Sequence, residues 1–214
     1  MLQGMASDPV YVMTTARCKL REIVLDSPQD QEFILQLWQD PTIIRNIGDR
    51  NIRTIEDSIR VIARMVNDYA QWGFGSWVVE YYPPTEEPSE AQLPVLIGIA
   101  GFLKRDYLPY PDAGWCFLEQ FQRKGLGLEV TEAILAWYHN EYPRKFEFGP
   151  LSETATTESN DTTADKTYIL CGFTSPTNEG SRRLLEKCGF VLQPQNLILP
   201  SQEVCVYYEQ VFKC

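Results

Sequence analysis

At 214 residues the chain is long enough for one sizeable domain with its own core, and its 44% hydrophobic and 22% charged content is ordinary for a globular protein. Its 19 basic against 29 acidic side chains leave a formal net charge of -10, which argues against a nucleic-acid binder working through a broad basic face and leans towards a cationic or amine ligand. Six scattered cysteines with no CxxC pair, and a single histidine, His139, argue against a metal site. The first twenty residues lack the basic region and apolar run of a secretory signal, and no stretch approaches the roughly 20 apolar residues of a membrane helix. The expectation is a reduced, soluble, cytoplasmic protein.

In chain order, residues 1–15 read as a flexible leader, and residues 16–214 as a single domain. "CKLREIV", Cys18 to Val24, alternates polar and apolar residues as a first strand does. Ser27-Pro28 caps a helix carrying Phe33, Ile34, Leu37 and Trp38 on one side and ending before Asp40-Pro41. Thr54 opens a second helix with Ile55, Ile59, Ile62 and Val66 at helical spacing, broken by Gly73 and Gly75. Two strands follow, Ser76 to Tyr82 and Val95 to Leu103, joined by a polar, proline-rich loop. A third, Ala113 to Leu118, leads into a helix from about Gly127 to Glu141, with Leu128, Ile134, Leu135 and Tyr138 expected on its buried side. Ser152 to Lys166 is nearly all small, polar and acidic, and reads as a mobile insertion. Thr167 to Phe173 is a strand. Asn178 to Phe190 is a short helix stopped by Gly189, and Glu203 to Phe212 is the last strand. The pattern is that of a mixed α/β domain.

The stretch with most chemistry in it is "EQFQRKGLGLEV", Glu119 to Val130, where two glycines follow a basic pair between a strand and a helix. The first amides of a helix have no internal partner, and the helix dipole makes that end positive. Gly125 and Gly127 would let an anion approach them, beside Arg123 and Lys124. The spacing is neither a GxxxxGK[ST] loop nor a GxGxxG fingerprint, since Val130 stands at the third glycine position. On this stretch alone, a phosphate cradle and an ordinary tight turn are equally open.

Gln122-Arg123-Lys124-Gly125-Leu126-Gly127 matches the Q/R-x-x-G-x-G/A signature of the GNAT superfamily of N-acetyltransferases. "GWCFL", Glu129, "LREIVLDSPQDQEFILQLWQDPTIIRNIGDR", "IGIAGFLKRD" and "NEGSRRLLEKCGF" extend the resemblance to its ribosomal-protein N-terminal acetyltransferase-like branch, from about Arg17 to Phe190. The resemblance implies a twisted, mostly antiparallel sheet of about seven strands flanked by helices. Its fourth and fifth strands, here Ala113 to Leu118 and Thr167 to Phe173, would splay apart to admit the pantetheine arm of acetyl-CoA. Phe117, Leu118, Gln122, Arg123, Lys124, Gly125, Leu126 and Gly127 would then hold the coenzyme, with Asn178 bonding the pantetheine or the strand edge. Trp38, Asn46, Asp49 and Arg50 would wall the acceptor cleft, although a Trp on a helical stripe more often faces the core, and Asp49 could equally be held by a local ion pair.

The implied reaction is direct acetyl transfer from acetyl-CoA, as co-substrate, to an amine, with no metal. Many family members protonate the departing thiolate with a tyrosine, but Leu185 occupies that position here. Ser181 is the remaining candidate acid, against a packing or capping role. Glu119 and Glu80 are the candidate bases, against both being surface carboxylates. Glu129, in the first helical turn, reads as a partner of the helix dipole. A catalytically silent acyl-CoA-binding module stands as the alternative. The acceptor stays open among protein N-termini and small amines, and no nucleic-acid or membrane partner and no particular oligomeric state is implied.

Overall fold

The computed structural model describes residues 9–84, 93–145 and 167–213. The chain divides into two compact units, Met1–Leu103 with Gly114–Ile134, and Lys104–Ala113 with Leu135–Cys214. The fold is mixed α/β, with a mostly antiparallel sheet, one parallel strand pair and flanking helices.

The first unit contains β1 (Tyr11–Thr14), β2 (Cys18–Arg21), α1 (Pro28–Gln39), α2 (Pro41–Ile47), α3 (Ile55–Trp72), β3 (Ser76–Tyr81) and β4 (Val95–Leu103). It also holds most of β5 (Asp112–Phe117) and the opening turns of α4 (Leu126–Lys145). Strand order is β1-β2-β3-β4-β5, and the first three pairings are antiparallel. Ser27 caps α1 through the Asp30 amide, with Pro28 at the first helical position. Thr54 and Asp57 form a reciprocal capping box on α3, which ends at Gly73 in the left-handed conformation. Phe33, Ile34 and Leu37 of α1 and Ile62 and Met65 of α3 pack with Val78, Ile99 and Cys116 of the sheet. At Gly98 of β4, a side chain would collide with the Cys116 carbonyl and the Phe117 ring. A bare α-carbon is what allows the end of β5 to lie so close to β4.

Under these strands lies a buried charge cluster. Arg21 binds Asp30 with both terminal nitrogens (2.8 and 2.7 Å) and donates from Nε to Glu80 at 2.5 Å. Glu80 also accepts from the hydroxyls of Tyr11 (3.0 Å) and Tyr82 (3.1 Å). Asp30 accepts in addition from the Val24 amide, so the cluster joins β1, β2, β3 and α1. Glu80 is therefore an interior carboxylate, only 4% exposed, and not the surface group its sequence context suggested.

The second unit contains β6 (Thr167–Thr174), α5 (Glu179–Lys187), β7 (Val191–Leu192), β8 (Leu197–Ile198) and β9 (Val204–Lys213). β6 is paired antiparallel with β9 along its whole length, from Thr167 opposite Lys213 to Thr174 opposite Val206, and β9 also pairs with β7 and β8. The parallel pair joins Asp112, at the start of β5, to Cys171 of β6. Burial pushes the Asp112 carboxyl up to about 6, with the Arg105 guanidinium 2.7 Å away acting in the opposite direction. Burial also raises the Cys171 thiol well above its ordinary value, which suits a core residue and not a nucleophile.

The described residues hold nine strands, where the resemblance implied about seven; the two-residue strands β7 and β8 are too short to show an alternation in sequence. β1 falls within the stretch expected as a flexible leader; Tyr11 reaching Glu80 is a contact that local pattern does not announce. α2 was also unanticipated. Asp40-Pro41 ends α1 but at once restarts a helix, Asp40 capping the amides of Thr42 and Ile43. In α4 the buried side is Leu126, Val130, Thr131, Ile134, Leu135 and Tyr138, with Leu128 only half-buried. The expected insertion at 152–166 lies outside the described residues. No helix among the described residues is long and apolar enough to cross a membrane.

Removing one partner from a buried ion cluster leaves the others charged and unpaired. Arg21→Met should therefore lower the unfolding free energy by about 3–5 kcal/mol in urea titration, strand propensity being little changed.

Candidate functional site

The turn between β5 and α4 is built from the backbone outward. After Phe117 the chain makes a one-turn 3-10 helix, Glu119–Phe121, and the Gln122 side-chain amide reaches back to the Phe117 carbonyl at 2.9 Å. The Leu118 amide donates to the Ile97 carbonyl at 2.9 Å, pinning the strand end to β4. Arg123 (φ 57°) and Gly125 (φ 77°) both take the left-handed conformation, which a non-glycine residue adopts only at a cost. Alternating backbone of this kind curls successive amides into a concave, anion-binding surface. The Glu129 amide donates to the Gly125 carbonyl at 3.2 Å, closing the first helical bond, so the amides of Leu126, Gly127 and Leu128 precede the helical ladder. Arg123, Lys124 and Gly125 are exposed, while Leu126 is buried and anchors the helix start. The Lys124 ammonium sits 5.4 Å from the Phe121 ring centroid.

One residue of this corner was missed as a site residue. Arg17, in the β1–β2 turn, donates from Nη1 to the Lys124 carbonyl at 3.1 Å. Its Nη2 lies 3.4 Å from where a β-carbon on Gly125 would stand. Glu129 holds it there. Its Oε1 accepts from the Arg17 amide (2.8 Å) and the Thr15 hydroxyl (2.6 Å), and its Oε2 accepts from Arg17 Nε (2.8 Å). Partial burial opposes the Glu129 charge, but these donors outweigh it and hold the carboxyl below the usual carboxylate range. Glu129 is thus a clamp on the hairpin more than a partner of the helix dipole. A long-range pair such as this has no local sequence signal; only the clustering of charge around the glycines hinted at it.

Asp40 brings the proposed acceptor wall to the same strand end. While Oδ1 caps α2, Oδ2 accepts from the Glu119 amide at 3.2 Å. Trp38 is half-buried against the core, with its indole Nε1 enclosed and without a hydrogen-bond partner among the described residues. The Arg50 guanidinium lies 5.9 Å from the Trp38 ring centroid. Asn46 is half-buried in α2. Asp49 accepts from the Asn51 amide and pairs with Arg53, an internal tie of the loop. Glu119 is exposed at the start of the 3-10 turn. Burial raises the nearby Cys116 thiol to about 12.

In the second unit, Asn178 caps α5, its side-chain oxygen accepting from the Ser181 amide at 3.2 Å. Ser181 lies in the first turn of that helix, half-buried. Leu185, where many relatives of the resembled family have tyrosine, is 1% exposed and packs towards Gly172 of β6. Among the described residues no group of His, Cys, Asp and Glu is clustered to hold a metal ion.

The family model for the acetyltransferase (GNAT) domain matches residues 17–191. The chain belongs to the GNAT acetyltransferase family. Solved GNAT-like structures agree at the level of fold. An acetyltransferase from Agrobacterium tumefaciens is 16% identical, with 98% of each chain covered and a TM-score of 0.63. RimL, a ribosomal L7/L12 alpha-N-protein acetyltransferase solved with coenzyme A, is 10% identical, with 94% of this chain and 98% of that one covered and a TM-score of 0.63. The microcin C7 self-immunity acetyltransferase MccE, solved with acetyl-CoA and AMP, is 13% identical, with 92% and 93% covered and a TM-score of 0.61. A search of curated proteins finds no significant match.

The two glycines of this GNAT turn differ in their demands. Gly125 has the positive φ and Gly127 does not. Gly125→Ala should lower unfolding free energy by about 1–2 kcal/mol, measured in urea. Gly127→Ala should leave stability nearly unchanged.

Proposed function

We propose that the chain is an acetyl-CoA-dependent N-acetyltransferase that moves the acetyl group directly to an amine. The observation that carries this reading is the β5–α4 turn, where amides left bare by left-handed backbone stand beside Arg123, Lys124 and the clamped Arg17. That corner suits a pyrophosphate: it offers main-chain donors, positive charge and no β-carbon at Gly125 to obstruct approach. Gln122 to Gly127 would hold the coenzyme's phosphates, and the strand end at Phe117 and Leu118 its pantetheine arm. Acetyl-CoA supplies a thioester, an acetyl group already activated towards amines.

The residues then divide the work of the reaction. Trp38, Asn46, Asp49 and Arg50 would line the acceptor cleft, and Asp40 keeps its wall joined to the strand end. Glu119, exposed at the turn, would take the proton an ammonium must lose before it can attack. A backbone amide would stabilise charge developing on the thioester oxygen, and Ser181 would supply a proton to the departing thiolate. Holding both substrates in one geometry accounts for much of the acceleration without a covalent acyl-enzyme.

A second reading, a coenzyme-binding module without turnover, is favoured by one observation: Leu185 is packed in the core where many relatives have an acid. Incubation with acetyl-CoA and a panel of small amines and N-terminal peptides, following free thiol and product mass, decides between them. The panel includes peptides because one fold neighbour is named as a protein N-terminal acetyltransferase. An acetylated amine is expected; saturable coenzyme binding with no product would establish the silent module. Ser181→Ala should lower kcat roughly a hundred-fold, and a kcat within two-fold of wild type would remove Ser181 from the acid role.

A further inference from the structure

The hairpin joining β1 to β2 reaches the anion corner through a single guanidinium, and the geometry points to a role for it. We propose that Arg17 is a positioning and phosphate-binding residue of the donor site, held against the β5–α4 turn by Glu129. This inference rests on the donor-site reading above. Arg17 is gripped by two groups: the Glu129 carboxylate takes its amide and Nε and lies 2.7 Å from Nη2, and the Lys124 carbonyl takes Nη1. The Lys124 carbonyl lies between the two left-handed residues, Arg123 and Gly125, so the bond fixes the conformation that exposes the amides.

A guanidinium carries five N–H bonds. The contacts to Glu129 and Lys124 take one from each of Nε, Nη2 and Nη1, and 37% of the side chain remains open to solvent. The remaining donors sit beside Gly125, where Nη2 stands at van der Waals distance from an added β-carbon. A planar fork already oriented by a carboxylate is preorganised for phosphate oxygens, and lysine cannot reproduce that three-way geometry. Glu129 in turn balances the guanidinium while the coenzyme is absent, with Thr15 holding the carboxylate in place at 2.6 Å.

The test is steady-state kinetics and coenzyme A calorimetry on wild type, Arg17→Gln, Arg17→Lys, Glu129→Gln and the Arg17→Gln/Glu129→Gln pair, each checked for cooperative unfolding. Arg17→Gln should raise the KM for acetyl-CoA and the Kd for coenzyme A about ten-fold or more, with a much smaller change in kcat. Arg17→Lys should recover only part of that loss. Because Glu129 acts through Arg17, the double variant should bind no worse than Arg17→Gln alone. Unchanged KM and Kd in a folded Arg17→Gln, or equal losses in kcat without change in KM, would overturn the assignment. In the wild-type chain, the Arg17 Nε–H resonance should shift on saturation with coenzyme A, and a stationary signal would also overturn it, whether or not the variants fold. If wild type itself binds no coenzyme A, it is the donor-site reading that fails.

Discussion

A reversal of backbone handedness at Arg123 and Gly125 governs this molecule's candidate chemistry. A strand cannot pass directly into a helix without a turn, and this turn is made by putting two residues, one of them not glycine, into the left-handed region. The consequence is a concave run of amides that precedes the helical ladder of α4 and faces the positive end of its dipole. The candidate donor site, the position of the strand end and the role proposed for the β1–β2 hairpin all depend on holding that short segment in shape.

Three separate contacts within the first unit hold it. Gln122 closes the 3-10 turn onto the Phe117 carbonyl, Arg17 binds the Lys124 carbonyl, and Asp40 takes the Glu119 amide while capping α2. Gly98 lets the end of β5 approach β4 closely enough for these contacts to meet. Behind them the Arg21 cluster fastens the hairpin strands to β3 and α1. Arg17 and Asp40 each have more than one partner, so one side chain serves two elements at once. That economy explains why charged residues far apart in the chain converge here.

The fold was largely legible because its signals are local. Ser27-Pro28 and Thr54 announce helix starts, Gly73 and Gly189 announce stops, and Val95 to Leu103 is too apolar to be anything but an interior segment. The glycine motif was legible for the same reason, being one continuous stretch. What escaped were features defined by partners remote in sequence. β1 is a strand through its pairing with β2 and the Tyr11–Glu80 bond; α2 exists because Asp40 both ends one helix and begins another. Glu80 reads in sequence as a surface carboxylate and Glu129 as a partner of the helix dipole, yet one is buried on Arg21 and the other clamps Arg17. Spacing along the chain does not encode either pair.

The central claim is that bare amides at the β5–α4 turn receive a coenzyme's phosphates. Backbone amide resonances followed by nuclear magnetic resonance during a coenzyme A titration report on it directly. The account predicts that the amides of Arg123 to Gly127 show the largest shifts and move together to saturation. Saturable binding that leaves those five amides unmoved, with the shifts concentrated elsewhere, would contradict it.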